Sequence, residues 1–158
     1  METTIATILN SIGTVYAMMG AAFAVILAGI GSSIGIRYTA EASSGVMSED
    51  PSNFGKYLIL VALPGTQGIY GFVAAFLIFS KITTIGVTAI TTSQGLQLLW
   101  ASLPIALTGL FSAIMQGRVC TSGVGLTAKH PDQSGKALVF GVFVEFYAVL
   151  GLIITIFL

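Results

Sequence analysis

The chain alternates between long apolar stretches and short polar connections. Four apolar stretches lie near residues 12–36, 58–79, 96–115 and 137–158. Each is close to or above the ~20 residues that an α-helix needs to cross a bilayer. The segments between them, 48–53, 81–94 and 129–135, are rich in polar and turn-forming residues. The pattern predicts an all-α membrane protein with four transmembrane helices.

The second half of the chain repeats the first at a spacing of 80 residues. Identical pairs include Gly29 and Gly109, Ser32 and Ser112, Ile34 and Ile114, Gly45 and Gly125, and Pro51 and Pro131. The agreement continues through the turns into the helices that follow them. We therefore predict two duplicated helical hairpins, residues 1–80 and 81–158, with the same orientation in the membrane.

Composition and charge exclude several functions. Hydrophobic residues make up 55% of the chain and charged residues 8%, and the mean hydropathy is +0.97. Six Lys and Arg residues balance six Asp and Glu residues, so no net charge would attract a nucleic acid. No Gly-x-x-x-x-Gly-Lys-[Ser/Thr] run occurs, and the glycine-rich stretch 29–35 lies inside a predicted span. We expect this chain to bind neither nucleic acid nor a nucleotide, and we expect its single cysteine, Cys120, to be a packing residue.

The basic residues indicate an orientation. Five of the six lie toward the turns within the two hairpins, and only Lys81 belongs to the opposite side. The five are Arg37, Lys56, Arg118, Lys129 and Lys136. Because Lys and Arg accumulate in cytoplasmic loops, we expect a multi-pass protein of the cell membrane with cytoplasmic hairpin turns and both termini outside.

The first predicted helix has a face of small residues, formed by Gly20, Ala24, Ala28, Gly31 and Gly35. Such a face allows two helix backbones to approach closely in lipid. It could pack against other helices of the same chain, or it could pack between identical copies. Because four helices this poor in polar residues have little to bury among themselves, the sequence favours packing between copies.

One carboxylate, Glu145, is predicted to lie near the middle of the membrane. It follows Gly135 by ten residues and precedes the C-terminus by thirteen, which correspond to ~15 and ~20 Å of helix. A charge at this depth costs ~3 kcal/mol or more. No Lys, Arg or His lies in the same helical segment. We therefore predict that Glu145 has a function and that its partner is an external cation.

Further polar residues are predicted at the depth of Glu145. Gln116 and Glu145 are equally far from the midpoint of the second turn, so an antiparallel hairpin brings them to one level. The repeat places Gly65 at the position equivalent to Glu145. Thr66 and Gln67 therefore belong to the same level, and three helices would contribute oxygen atoms to one site.

A proline and a tyrosine complete the predicted site. Pro64 lacks a backbone N–H group and clashes with the carbonyl of Leu60, so we expect a kink that frees a carbonyl oxygen nearby. Tyr70 shares a helix face with Gln67, and we expect its hydroxyl to orient Glu145. Hard cations take oxygen ligands, whereas a proton needs only the carboxylate and one hydrogen-bond partner. The oxygens favour Na⁺ over H⁺, although both fit.

Four motifs are the most specific parts of the sequence. They are residues 63–71 (Leu-Pro-Gly-Thr-Gln-Gly-Ile-Tyr-Gly), 101–106 (Ala-Ser-Leu-Pro-Ile-Ala), 116–118 (Gln-Gly-Arg) and 144–148 (Val-Glu-Phe-Tyr-Ala). With these motifs the chain resembles, over essentially its whole length, the proteolipid subunit of V-type ATPases. The likeness is to the duplicated four-helix form found in bacterial sodium-pumping enzymes.

The resemblance implies a set of sodium ligands. They would be the backbone carbonyl of Leu63, the side chains of Thr66, Gln67 and Gln116, and the carboxylate of Glu145, with Tyr70 in support. Phe146 departs from the pattern, since a small polar residue is expected after the glutamate. The immediate surroundings of the site are therefore expected to differ.

The resemblance also implies partners. Identical copies would form a ring in lipid, beside a stator membrane subunit that carries an essential arginine. Central-stalk subunits would contact the cytoplasmic turns, and ATP would be hydrolysed elsewhere, so the chain itself would be non-catalytic. Two other classes remain open: a small secondary transporter or channel with Glu145 in its pathway, and a structural membrane spacer.

Overall fold

The computed structural model describes the backbone of residues 2–158 and the side chains of residues 12–158. The chain is helical almost throughout. Its α-helices are α1 (Glu2–Met47), α2 (Phe54–Ala62), α3 (Thr66–Ile85), α4 (Thr92–Lys129) and α5 (Ser134–Phe157). Short 3₁₀ turns at Pro51–Asn53, Leu63–Gly65 and Pro131–Gln133 precede α2, α3 and α5.

Four segments of the described chain are long and apolar enough to cross a membrane, which confirms the predicted fold class. They are Ile12–Met47, Pro51–Ile85, Thr92–Lys129 and Pro131–Phe157, with lengths of 27 to 38 residues. Since ~20 residues cross the hydrocarbon, these helices extend beyond it.

The connection between the two hairpins is shorter than the predicted turn at residues 81–94. Helix α3 continues to Ile85 and ends at Gly86, whose φ of 99° suits glycine. Helix α4 begins with a capping box, in which Thr91 and Gln94 each bond the other's backbone N–H. The predicted division of the chain into two hairpins, between residues 80 and 81, lies within α3. The division itself stays a prediction.

The small-residue face of α1 packs inside the chain, so the favoured interpretation as a contact between copies is wrong. Ala24 and Ala28 are fully buried. A Cβ atom added to Gly31 would lie 2.5 Å from the Leu110 carbonyl oxygen, and one added to Gly35 would lie 2.4 Å from that of Ala113. The backbones of α1 and α4 are thus in direct contact. Close packing of this kind stabilises the association of helices in lipid.

The second span is interrupted at Pro64, as its lack of an N–H group predicts. Helix α2 ends at Ala62, the 3₁₀ turn Leu63–Gly65 follows, and α3 begins at Thr66. The Leu63 carbonyl accepts the Thr66 backbone N–H, three residues on. The fourth span has Val144 at the equivalent position, and α5 continues through it without a break.

One apolar cluster lies between the break and the hairpin turns. It contains Tyr57, Leu60, Cys120, Val124 and Ala137, all at most 1% exposed. The prediction that Cys120 is a packing residue is confirmed. The cluster joins α2, α4 and α5, and so fixes the second span relative to the two helices, α4 and α5, that carry Gln116 and Glu145.

Candidate ion-binding site

Glu145 lies on α5, partly buried, and faces α3. The Tyr70 hydroxyl donates a hydrogen bond to Glu145 Oε1 at 2.5 Å. This contact joins the two hairpins, since Tyr70 and Glu145 are 75 residues apart in the chain. The geometry is the one predicted for Tyr70, whose hydroxyl holds the carboxylate in one orientation.

Gln116 connects the carboxylate with the first hairpin. Its side chain is fully buried. The Gln116 Nε2 group donates to the Gly141 carbonyl at 3.0 Å and to Glu145 Oε2 at 3.4 Å. Its Oε1 atom accepts a hydrogen bond of 2.6 Å from Gln67 Nε2, and Gln67 is also fully buried. The structure therefore places Gln116 in contact with Glu145, in agreement with the equal depths predicted from the sequence.

Thr66 and Leu63 extend this network along the break before α3. The Thr66 hydroxyl is 2.9 Å from the Leu63 carbonyl oxygen, to which it donates, and 3.3 Å from Gln67 Oε1. The Leu63 oxygen accepts both the backbone N–H and the hydroxyl of Thr66, so it is not a free carbonyl of the kind that the kink at Pro64 was expected to leave.

The site brings together a carboxylate, two amides, a hydroxyl and a backbone carbonyl, but no basic side chain. Within residues 12–158, the only ion pair is the exposed one between Arg37 and Glu41. Arg118 lies instead beside the Tyr38 ring, 5.9 Å from its centroid. A carboxylate in this position needs either a proton or a cation, and oxygen ligands of these types suit a hard cation.

All six residues named from the sequence belong to one hydrogen-bonded network, which consists of Leu63, Thr66, Gln67, Tyr70, Gln116 and Glu145. Phe146 lies outside it, half exposed, with its ring edge-on to Phe143 at 6.0 Å. The unusual residue after the glutamate therefore faces away from the network.

Sequence reasoning missed Gly141, whose carbonyl accepts from Gln116. A Cβ atom at this position would lie 2.7 Å from Leu63 Cδ2 and 3.0 Å from Cys120 Sγ. The glycine therefore allows α5 to approach both Leu63 of the first hairpin and α4 of its own hairpin closely. Its position one helical turn before Glu145 was a usable signal, because small residues mark close helix contacts in membranes.

The fold and the site define a duplicated helical-hairpin membrane protein with a partly buried carboxylate, Glu145, on its fourth membrane-length segment. The family model for the ATP synthase C subunit matches the chain twice, at residues 19–78 and 99–158, with the same 80-residue spacing as the repeat. The chain belongs to this family, as a V-type ATPase c/K proteolipid.

Three curated relatives illustrate the similarity. A V-type sodium ATPase subunit K from Enterococcus hirae is 47% identical over 146 residues, 92% of this chain and 91% of the relative. An A-type ATP synthase subunit K from Methanocaldococcus jannaschii is 41% identical over 140 residues, 89% of this chain and 60% of that longer relative. The 16 kDa proteolipid of a V-type proton ATPase from Nephrops norvegicus is 31% identical over 143 residues, 90% of this chain and 89% of the relative.

These matches confirm the resemblance drawn from the motifs, the duplication, and the expectation of a non-catalytic subunit of an ion-transporting ATPase. With the four membrane-length segments, they define a multi-pass membrane protein.

Proposed function

We propose that this chain is the sodium-carrying rotor subunit of a V-type ATPase and that Glu145 binds the transported ion. The proposal rests on a carboxylate in a membrane-length helix that contacts Tyr70 and Gln116 but no basic group among residues 12–158. The cation would be held by the Leu63 carbonyl and by Thr66, Gln67, Gln116 and Glu145. Tyr70 would not bind the ion itself, but its hydroxyl would orient the Glu145 carboxylate.

Sodium is favoured by the number and type of the oxygen atoms near Glu145. The fully buried pair Gln67 and Gln116 would be superfluous for a proton, which needs one acceptor and one donor. The name of the Enterococcus hirae relative, a sodium ATPase subunit, agrees with this choice. The second candidate is H⁺, since the relative from Nephrops norvegicus is named as part of a proton ATPase.

Carbodiimide labelling of the purified assembly decides between the two ions. The reagent attacks a protonated carboxyl, so Glu145 should be labelled at mildly acidic pH and Na⁺ should suppress the labelling in a concentration-dependent manner. K⁺ at the same ionic strength is the control and should protect far less. Labelling that Na⁺ does not change would favour H⁺, and an absence of any labelling at Glu145 would contradict the assigned site.

In the proposed mechanism, Na⁺ neutralises Glu145 and the loaded site can move through lipid at low electrostatic cost. An arginine of a stator subunit would offer a competing positive charge, and the carboxylate would then release its ion into a channel on one side. The polar hairpin turns would face the cytoplasm and contact a central stalk. This orientation follows from the distribution of Lys and Arg.

The internal repeat supports a specific contact between copies in a ring. Within the chain, Gly31 packs on Leu110. The repeat equivalents of these residues are Phe111 and Ile30, and both are exposed, at 57% and 45%. If copies repeat the internal arrangement, Phe111 of one copy meets Ile30 of the next. Because Phe111 replaces a glycine, this contact would be wider than the one inside the chain.

Cysteine cross-linking tests this contact. In a Cys120→Ala background, the pair Ile30→Cys and Phe111→Cys should give a ladder of multimers with a short thiol-specific cross-linker on denaturing gels. Each single cysteine should give none. A mismatched control pairs Ile30→Cys with Phe140→Cys, because Phe140 is the equivalent of Leu60, which packs near Cys120 at another depth. A ladder from the control, or none from the matched pair, would contradict the proposed contact.

A further inference from the structure

A buried serine on α1 touches the backbone beside the ion-binding network. Ser32 is 6% exposed, and its Oγ atom accepts a hydrogen bond of 2.8 Å from the Gly68 backbone N–H. Gly68 directly follows Gln67 and is the third residue of α3. A Cβ atom at Gly68 would lie 3.2 Å from Ser32 Oγ, so the glycine leaves room for this contact.

The hydrogen bond satisfies a group that the helix itself leaves unpaired. The first backbone N–H groups of an α-helix have no partner inside it, and an N-cap side chain normally accepts the one at the third position. The N-cap residue of α3 is Gly65, which has no side chain to offer. Ser32 therefore supplies, from a neighbouring helix, the acceptor that the cap position lacks.

The conformation of Gly65 explains why the acceptor comes from another helix. A residue whose side chain caps a helix normally has an extended backbone. Gly65 has φ −79° and ψ −21°, which is helical, because the 3₁₀ turn at Pro64 leads directly into α3. In this conformation, a serine at position 65 would not reach the N–H of Gly68. Only a residue on a packed neighbour can cap the helix here.

The second repeat provides an internal comparison. Ser112 is the equivalent of Ser32 and has the same exposure, 6%. Its Oγ atom is buried without a hydrogen-bond partner. The equivalent of Gly68 is Ala148, which lies within α5 rather than at its start, since no proline interrupts that helix. The serine hydroxyl is used only where the span is broken.

We propose that Ser32 is a positioning residue for sodium, a proposal that rests on the function proposed above. By capping α3 at Gly68, it fixes the turn that carries the Thr66 hydroxyl and the Gln67 amide. Both side chains lie within two residues of the capped N–H group. Ser32 itself touches no ion in this arrangement, and it acts on the cation through the backbone of α3.

The test compares Ser32→Ala with the matched control Ser112→Ala, using Na⁺ protection of Glu145 from carbodiimide in the purified assembly. Loss of a buried hydrogen bond to the backbone should raise the Na⁺ concentration for half-protection by about three- to tenfold in Ser32→Ala. Ser112→Ala should stay at the wild-type value. Labelling in the absence of Na⁺ should reach the wild-type extent in both variants, because neither serine contacts Glu145, whose hydrogen bonds come from Tyr70 and Gln116.

The outcomes separate this proposal from the function on which it rests. If Na⁺ fails to protect the wild-type protein, the proposed sodium function is wrong. If Na⁺ protects the wild type and Ser32→Ala behaves the same, the positioning role is wrong. Equal shifts in both variants would also overturn it, since they would reflect a general loss of packing.

Discussion

Replacement of Glu145 by glutamine should abolish sodium binding while the protein still assembles. Glutamine has the same shape, and its oxygen can still accept the hydrogen bond from Tyr70. It has no charge, however, to balance a cation. Removing one member of a buried charge pair costs about 3–5 kcal/mol, which corresponds to a loss of about 100-fold or more in affinity. Equilibrium binding of ²²Na⁺ to the purified assembly, together with its yield, measures both effects.

The control for this variant is Glu41→Gln. Glu41 belongs to the exposed ion pair with Arg37, and its side chain is 62% exposed. Such pairs contribute little to stability, so sodium binding and yield should both stay at the wild-type level. Sodium binding by Glu145→Gln at wild-type affinity would remove Glu145 from the site. A failure of Glu145→Gln to assemble would show that the carboxylate has a structural role.

Replacement of Gln116 by leucine should reduce both the stability of the assembly and its sodium affinity. The Gln67 Nε2 group, fully buried, loses the partner that now lies 2.6 Å away. An unsatisfied group of this kind costs between about 0.6 and 3 kcal/mol. The site also loses an amide oxygen and the contact that links Gln116 to Glu145. The midpoint of heat-induced dissociation and ²²Na⁺ binding report the two losses separately.

A double variant distinguishes packing from ion binding. When Gln67→Leu is added to Gln116→Leu, no polar group of that pair is left unsatisfied. Replacing both partners of a buried hydrogen bond can be nearly neutral. The double variant should therefore regain much of the lost thermal stability and still bind sodium at least as weakly as the single variant. Recovery of sodium binding in the double variant would contradict the proposed ligand roles.

Much of this site could be predicted from the sequence because the repeat and the turns fix depth along the helices. Counting residues from the second turn placed Gln116 level with Glu145, and the structure has them in contact. The repeat placed Thr66 and Gln67 at the same level. Depth is set by the rise of 1.5 Å per residue, which varies little, so these estimates needed no knowledge of the packing.

The sequence was less informative about which helix face meets which neighbour. The small residues of α1 indicated a close contact but not its partner, and the preferred partner was wrong because α4 of the same chain occupies that face. The role of Ser32 was also missed. Its hydrogen bond is made to the N–H of Gly68 at the start of α3. That N–H needs an outside acceptor because the 3₁₀ turn at Pro64 leads directly into α3, a detail of the backbone that the sequence pattern does not show.

The position equivalent to Glu145 in the first hairpin is Gly65, and this asymmetry has an energetic consequence for a rotary pump. A rotor of such chains would carry one ion for every four helices, half the load of a rotor with a carboxylate in each hairpin. Moving one elementary charge across 100 mV costs ~2.3 kcal/mol. The work available from each ATP would thus be divided among fewer ions. Each ion could then be moved against a steeper electrochemical gradient, at the cost of fewer ions moved per ATP.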